Sequence, residues 1–307
     1  MDKNGMNPEE IALYDRQIRL WGFNAQQALK QSRVLLITAS PLSNEIAKNL
    51  VLAGIGELCL QDTHSVEMQD VHDQFFLEDS NIGKSKVSSL IEKLKDLNPL
   101  VKLSSLNTPI AELSESIISS FQMVIATQLQ YDDFCKVNNL CRTSKRPMYA
   151  SSCYGLYGFA FADLIDHEFV IEKTVENTKV EQAMSTSQKP MQVAFDTALG
   201  SKLKPRLAKK VPAAYPALLS VLKHNRSDPD SIKKMCLEQK LDPSAILNES
   251  FLNDFSQNSN FQWMPVISIV GGVVSQDALN AISKRQYPID NFWIFDAETS
   301  TGPIYML

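Results

Sequence analysis

The stretch from Arg33 to Asp62 constrains the fold more than any other part of this chain. Arg33-Val34-Leu35-Leu36-Ile37-Thr38 reads as a buried strand, and Glu57-Leu58-Cys59-Leu60-Gln61-Asp62 as a second one. Between them, residues 44–53 place Ile46, Ala47, Leu50 and Val51 on one helical face. Gly54 and Gly56 stop that helix. Strand, helix and strand within about 30 residues make a βαβ unit, whose crossover runs the two strands parallel.

The pattern continues downstream. Val87, Leu90, Ile91, Leu94 and Leu97 recur at helical spacing until Asn98-Pro99 ends the run. Residues 100–106, 123–127 and 147–150 read as strands, as does Phe161-Ala162-Asp163-Leu164. Alternating strands and helices predict an open α/β sheet with helices on both faces. Upstream, Pro8 followed by Glu9-Glu10 marks the start of a helical segment reaching to about Gln31. From 172 to 259 the pattern weakens into polar, basic and short helical stretches, which suggests an insertion or connector. Order returns with apolar residues 265–274, a helix opening at Gly271-Gly272, and the strand-like Phe292-Trp293-Ile294-Phe295-Asp296. The expectation is one domain over 1–307, with 172–259 inserted and 262–307 returning to the sheet.

Composition narrows the function. The chain carries 30 Lys+Arg against 35 Asp+Glu and a net charge of −5, with no long single-sign block, so nothing favours nucleic-acid binding. The longest uncharged apolar stretch, 264–274, is short for a membrane span, and the polar N-terminus lacks a signal core. Cys59, Cys135, Cys141, Cys153 and Cys236 are odd in number and irregularly spaced, which fits neither a disulfide framework nor a zinc site and suggests a reduced, intracellular protein. Cys59 reads as a small buried hydrophobe. Cys153 follows a strand and could be exposed, but it has no flanking Lys, Arg or His to activate it. His64, His72, His167 and His224 show no metal-ligand spacing, so surface or satisfied core roles are expected. Lys202, Lys204, Arg206, Lys209 and Lys210 read either as a solvated loop or as a nuclear-import or partner-binding patch.

The turn between the first strand and helix is where a nucleotide-binding protein carries Gly-x-Gly-x-x-Gly. Here those positions are Thr38, Ser40 and Ser43, each with a Cβ, and Pro41 removes an N–H that could donate to phosphate. Asp62 ends the second strand where a ribose-binding acid would stand; a turn role is equally open.

Tyr14-Asp15-Arg16-Gln17-Ile18-Arg19-Leu20-Trp21-Gly22 resembles a signature of the enzymes that activate ubiquitin-like modifiers, the E1 family. Residues 44–56, Gln74-Phe75, Ile82-Gly83-Lys84-Ser85-Lys86, Leu97-Asn98-Pro99, Tyr157-Gly158-Phe159, Gly271-Gly272 with Gln276, and Tyr287-Pro288 extend the resemblance over 8–170 and 262–300. It implies a Rossmann-like, mostly parallel sheet of the ThiF/E1 adenylation type. It also implies carboxylate activation, in which ATP and the modifier's C-terminal glycine form an acyl-adenylate that a cysteine thiol captures. Such enzymes pair two homologous halves, one of them with a working site. By length and by its altered loop, the chain resembles the small, non-thioester-forming subunits of SUMO-type heterodimers; regulatory subunits of the NEDD8 type are normally much longer.

Departures from the family say which half this is. The family's phosphate-binding arginine is Asp73 here, and a carboxylate beside a triphosphate repels it. Thr127-Gln128-Leu129-Gln130 lacks the family's magnesium-associated aspartate. Lys86 and Asp62 remain as remnants. The resemblance therefore implies ATP and Mg2+ at a large catalytic partner's site and none bound by this chain, which would be inactive alone. Arg16 is the exception: in the family this arginine reaches across the dimer to the other half's triphosphate. The alternatives are that Arg16 pairs locally with Asp15 or another carboxylate, that the chain is a non-catalytic scaffold, or that it is a self-sufficient homodimer like the bacterial sulfur-carrier activators. A SUMO-type modifier and an E2 would meet the chain through the complex, in the nucleus; modifier recognition would lie mostly on the large subunit.

Overall fold

In the first two strands Leu35, Leu36 and Ile37 have no solvent exposure and Leu58 and Leu60 almost none, as expected where helices cover both faces of a parallel sheet. The computed structural model describes residues 6–175 and 178–307. Its strands are β1 (Arg33–Ile37), β2 (Glu57–Gln61), β3 (Lys102–Leu106), β4 (Met123–Thr127), β5 (Met148–Tyr154), β6 (Tyr157–Asp163), β7 (Asp166–Val175), β8 (Thr178–Ser187), β9 (Phe292–Asp296) and β10 (Ile304–Tyr305). Eight form one sheet in the order β10-β9-β6-β5-β4-β1-β2-β3. The run β3-β2-β1-β4-β5 is parallel, with Leu35 between Cys59 and Val124. β6, β9 and β10 add antiparallel strands at the far side. β1 and β4 lie side by side while their connections leave in opposite directions, which puts the crevice of an open α/β sheet beyond their C-terminal ends.

Alternation divides the core in two. On one face Leu35, Ile37, Val124, Phe159 and Phe292 meet Phe134 and Val137 of the Tyr131–Thr143 helix. On the other, Val34, Leu36, Leu58 and Ile125 meet Ile46 and Leu50 of the Pro41–Ala53 helix and Val270 and Val274 of the Met264–Ser283 helix.

Residues 172–259 hold most of a β7–β8 hairpin outside the main sheet, followed by short helices. Those helices put Phe195, Tyr215, Leu218, Cys236 and Phe255 into the first core, so this segment covers half the sheet. Its sequence pattern is weak because its helices run only 4 to 11 residues.

Three expectations are corrected. The N-terminal segment is three helices, Pro8–Leu13, Asp15–Trp21 and Phe23–Gln31, with the third turned off at Gly22, whose φ is +91°. Residues 264–283 form a single 20-residue helix, long and apolar enough to cross a membrane, but more than half of its apolar window is buried inside the fold. Cys153 is the last but one residue of β5, 1% exposed, and burial pushes its thiol far up, so it is not a nucleophile.

Candidate functional site

The crevice beyond β1 and β4 holds the loop from Thr38 to Ser43. Thr38 keeps the backbone that a glycine would adopt, with φ +76°, and its N–H donates to the Gln61 carbonyl at 2.8 Å. The next helix begins at Pro41, three residues before the expected start, because Ser40 caps it. Proline costs nothing at that first position, where the N–H has no intrahelical partner.

A helix N-terminus following such a turn is an anion site when its amides point into open space. Here three of them are occupied. The Ala39 N–H donates to Asp62 Oδ2 at 2.8 Å, the Ser40 N–H to Ser43 Oγ at 2.7 Å, and the Ser43 N–H to Ser40 Oγ at 3.1 Å. Ser43 Oγ donates onward to the Ser40 carbonyl at 2.8 Å, and Ser40 Oγ meets Thr127 Oγ1 at 3.1 Å. Ser40 is 7% exposed and Ser43 1%, so the hydroxyls occupy the space where a phosphate would approach.

The remaining candidates are also engaged from within. Asp62, 6% exposed, spends its second oxygen on the His64 N–H at 2.8 Å and on His64 Nδ1 at 2.6 Å. Lys86 Nζ pairs with Asp70 Oδ1 at 2.7 Å, both groups largely shielded from solvent. Gln74 donates to that same Asp70 oxygen at 3.0 Å and accepts from Asn44 Nδ2 at 2.8 Å. Asp73 sits half-buried at the end of the Met68–Asp73 helix, where Gln69 donates to it at 2.8 Å. Gln128 has a positive φ, and its side chain bonds the Cys153 N–H at 2.9 Å and Gln262. ATP and Mg2+ therefore do not fit this crevice: its Ala39, Ser40 and Ser43 amides are taken, its lysine is neutralised and residues 127–130 carry no carboxylate.

The Asp70–Gln74–Asn44 network escaped the sequence reading. Its only trace is the i,i+4 spacing of Asp70 and Gln74, which is common on any helix.

Arg16 stands apart from the crevice on the Asp15–Trp21 helix. It is exposed, and its side chain has no hydrogen bond or ion pair among the described residues. Asp15, its expected local partner, is instead held by Arg19 at 2.9 Å. Trp21 is half-buried, its indole N–H donating to Gln26 at 3.0 Å. A groove beside this helix is lined by Gln17, Trp21, Leu52 and Gly272. Leu20 is 79% exposed beside it and Leu52 45%. Of the histidines, His167 departs from expectation: it is buried with Nε2 unpartnered, and desolvation and the nearby Lys284 lower its pKa.

A family model described as the ThiF family matches residues 14–306. The DNA damage tolerance protein rad31 of Schizosaccharomyces pombe is 62% identical over 307 residues, covering all of both chains. The SUMO-activating enzyme subunit 1 of Xenopus laevis is 31% identical over 97% of this chain and 95% of its own, and that of Homo sapiens 30% over 99% and 96%. A solved structure described as SeMet PaaA shares the fold, with a TM-score of 0.65 at 16% identity, over 100% of this chain and 86% of its own.

Proposed function

Since the chain belongs to the ThiF family, we propose that it is the non-thioester-forming subunit of a SUMO-type activating enzyme, lending Arg16 to the ATP site of a large catalytic partner. The names of the whole-length relatives favour the SUMO type over the NEDD8 type. The observation that carries the reading is the occupied helix N-terminus at Ser40: a chain that fills its own phosphate site with hydroxyls contributes to adenylation from elsewhere.

Arg16 is that contribution. In the adenylation step a carboxylate oxygen of the modifier attacks the α-phosphorus of ATP and pyrophosphate leaves, with charge building on the phosphoryl oxygens. A guanidinium is planar, always charged and weakly hydrated, and delivered from a neighbouring chain it neutralises that charge only in the assembled enzyme. The exposed Leu20 and Leu52 and the groove by Gly272 support a partner docking on the same side, because apolar side chains left in water gain when an interface covers them. Nuclear residence belongs to the same proposal.

Reconstitution with the large subunit tests it. Arg16→Ala lowers adenylate formation about a hundredfold or more, with Arg16→Lys intermediate and Arg19→Ala near wild type. Unchanged kinetics for Arg16→Ala would leave a pure scaffold. Pyrophosphate exchange by the purified chain alone would overturn the proposal in favour of a self-sufficient adenylyltransferase.

A further inference from the structure

At the sheet's far side, where β5 turns into β6, a cavity of about 180 Å³ opens between that turn and the Glu249–Asn258 helix. Its walls are aromatic: Tyr154, Tyr157 and Phe255 line it, with the Tyr157 and Phe255 ring centroids 5.5 Å apart. Two carboxylates, Asp254 and Glu298, stand exposed at its rim. Glu298 accepts only the Tyr157 hydroxyl, at 2.9 Å, and Asp254 only the Ser250 hydroxyl, at 3.2 Å; neither has a cationic partner among the described residues. Asp296 adds a third negative charge nearby, and burial first, then these three carboxylates, push the Tyr157 hydroxyl far up. Ser259 also lines the cavity. It is 2% exposed, and its Oγ has no hydrogen-bond partner.

An orphaned buried hydroxyl costs free energy that a donor arriving from outside would recover. Uncompensated carboxylates over aromatic faces are the environment in which a guanidinium or ammonium gains both ion-pair and cation–π attraction. The volume suits one long side chain and excludes a folded segment. We propose that this cavity receives a basic side chain, arginine or lysine, presented by a protein partner of this chain, with Asp254 and Glu298 pairing its charge, the rings flanking its stem and Ser259 accepting a hydrogen bond. The cavity shares no lining residue with the Thr38–Ser43 loop or with the groove beside Arg16, so this site stands or falls independently of the role proposed for Arg16.

Titration of the purified full chain with capped amino acids tests it, read by calorimetry and by the amide resonance of Gly155. Nα-acetyl-arginine amide or its lysine counterpart is expected to bind about tenfold or more tightly than the neutral citrulline amide. Asp254→Asn with Glu298→Gln should remove that preference, and both positions are exposed, so the fold survives. Ser259→Ala should weaken all the probes that bring an N–H donor, citrulline included, and leave the preference for charge in place. Equal binding of charged and neutral probes, or no binding of any, overturns the proposal. Tighter binding of free arginine than of the capped form also overturns it, because the site would then hold an amino acid and not a partner's side chain.

Discussion

Thr38 is β-branched and yet sits at φ +76°, a backbone that side chains of its kind rarely adopt. The loop holds a threonine in a backbone shape that suits glycine. Thr38→Gly should therefore stabilise the chain by about 1 kcal/mol in urea denaturation. The same variant should gain no affinity for ATP by calorimetry, because the Ala39, Ser40 and Ser43 amides stay occupied. This division also shows what the sequence could disclose. Three missing glycines were plain to read, whereas the reciprocal Ser40–Ser43 bonds depend on where Pro41 starts the helix. A second residue carries a pH dependence. Asp277 is 7% exposed, and burial pushes its carboxyl up to about 6 despite hydrogen bonds from Tyr149 and Ile289. The folded state then holds the proton more tightly than the unfolded chain, so this contribution is fully present below about pH 4 and is lost as pH climbs through 6. Asp277→Asn, which keeps the acceptor and cannot ionise, should match wild type near pH 4 and exceed it by about 3 kcal/mol at pH 8.

Among the elements, the Met264–Ser283 helix shows how closely two surfaces can approach. A Cβ on Gly271 would meet Glu45 at 2.8 Å on the Pro41–Ala53 helix, whereas one on Gly272 meets nothing within 4 Å. Gly271→Ala should lose about 1–2 kcal/mol through overpacking, and Gly272→Ala should gain up to about 1 kcal/mol from helix propensity; thermal melts distinguish them. Adjacent glycines are indistinguishable in sequence, since only the packing angle decides which one faces a neighbour. Period was the stronger guide for β1, β2, β4 and the helix between the first two, where burial on both faces leaves unbroken apolar runs. It failed for β7 and β8, whose exposed faces carry Glu168, Glu172, Glu181 and Gln182 and so resemble a linker.

The whole molecule depends on a sheet covered from both sides, with its second cover drawn largely from the stretch whose sequence suggested an insertion or connector. Removal of residues 191–258 would expose Phe159, Phe161 and Phe292 of the central strands, so the shortened chain should be insoluble on expression and show no cooperative melt. The Tyr14–Gly22 motif was legible because its residues are contiguous in the chain. The cover was not, because a core assembled from short helices leaves no long period to find.

The sealed turn before the Pro41 helix has a physiological consequence. A protein whose phosphate loop needs its nucleotide for order becomes more stable when that ligand is abundant and less so when it is scarce. Here neighbouring hydroxyls supply permanently what a triphosphate would supply only while bound. The folded population of this chain should thus be indifferent to the concentration of ATP around it.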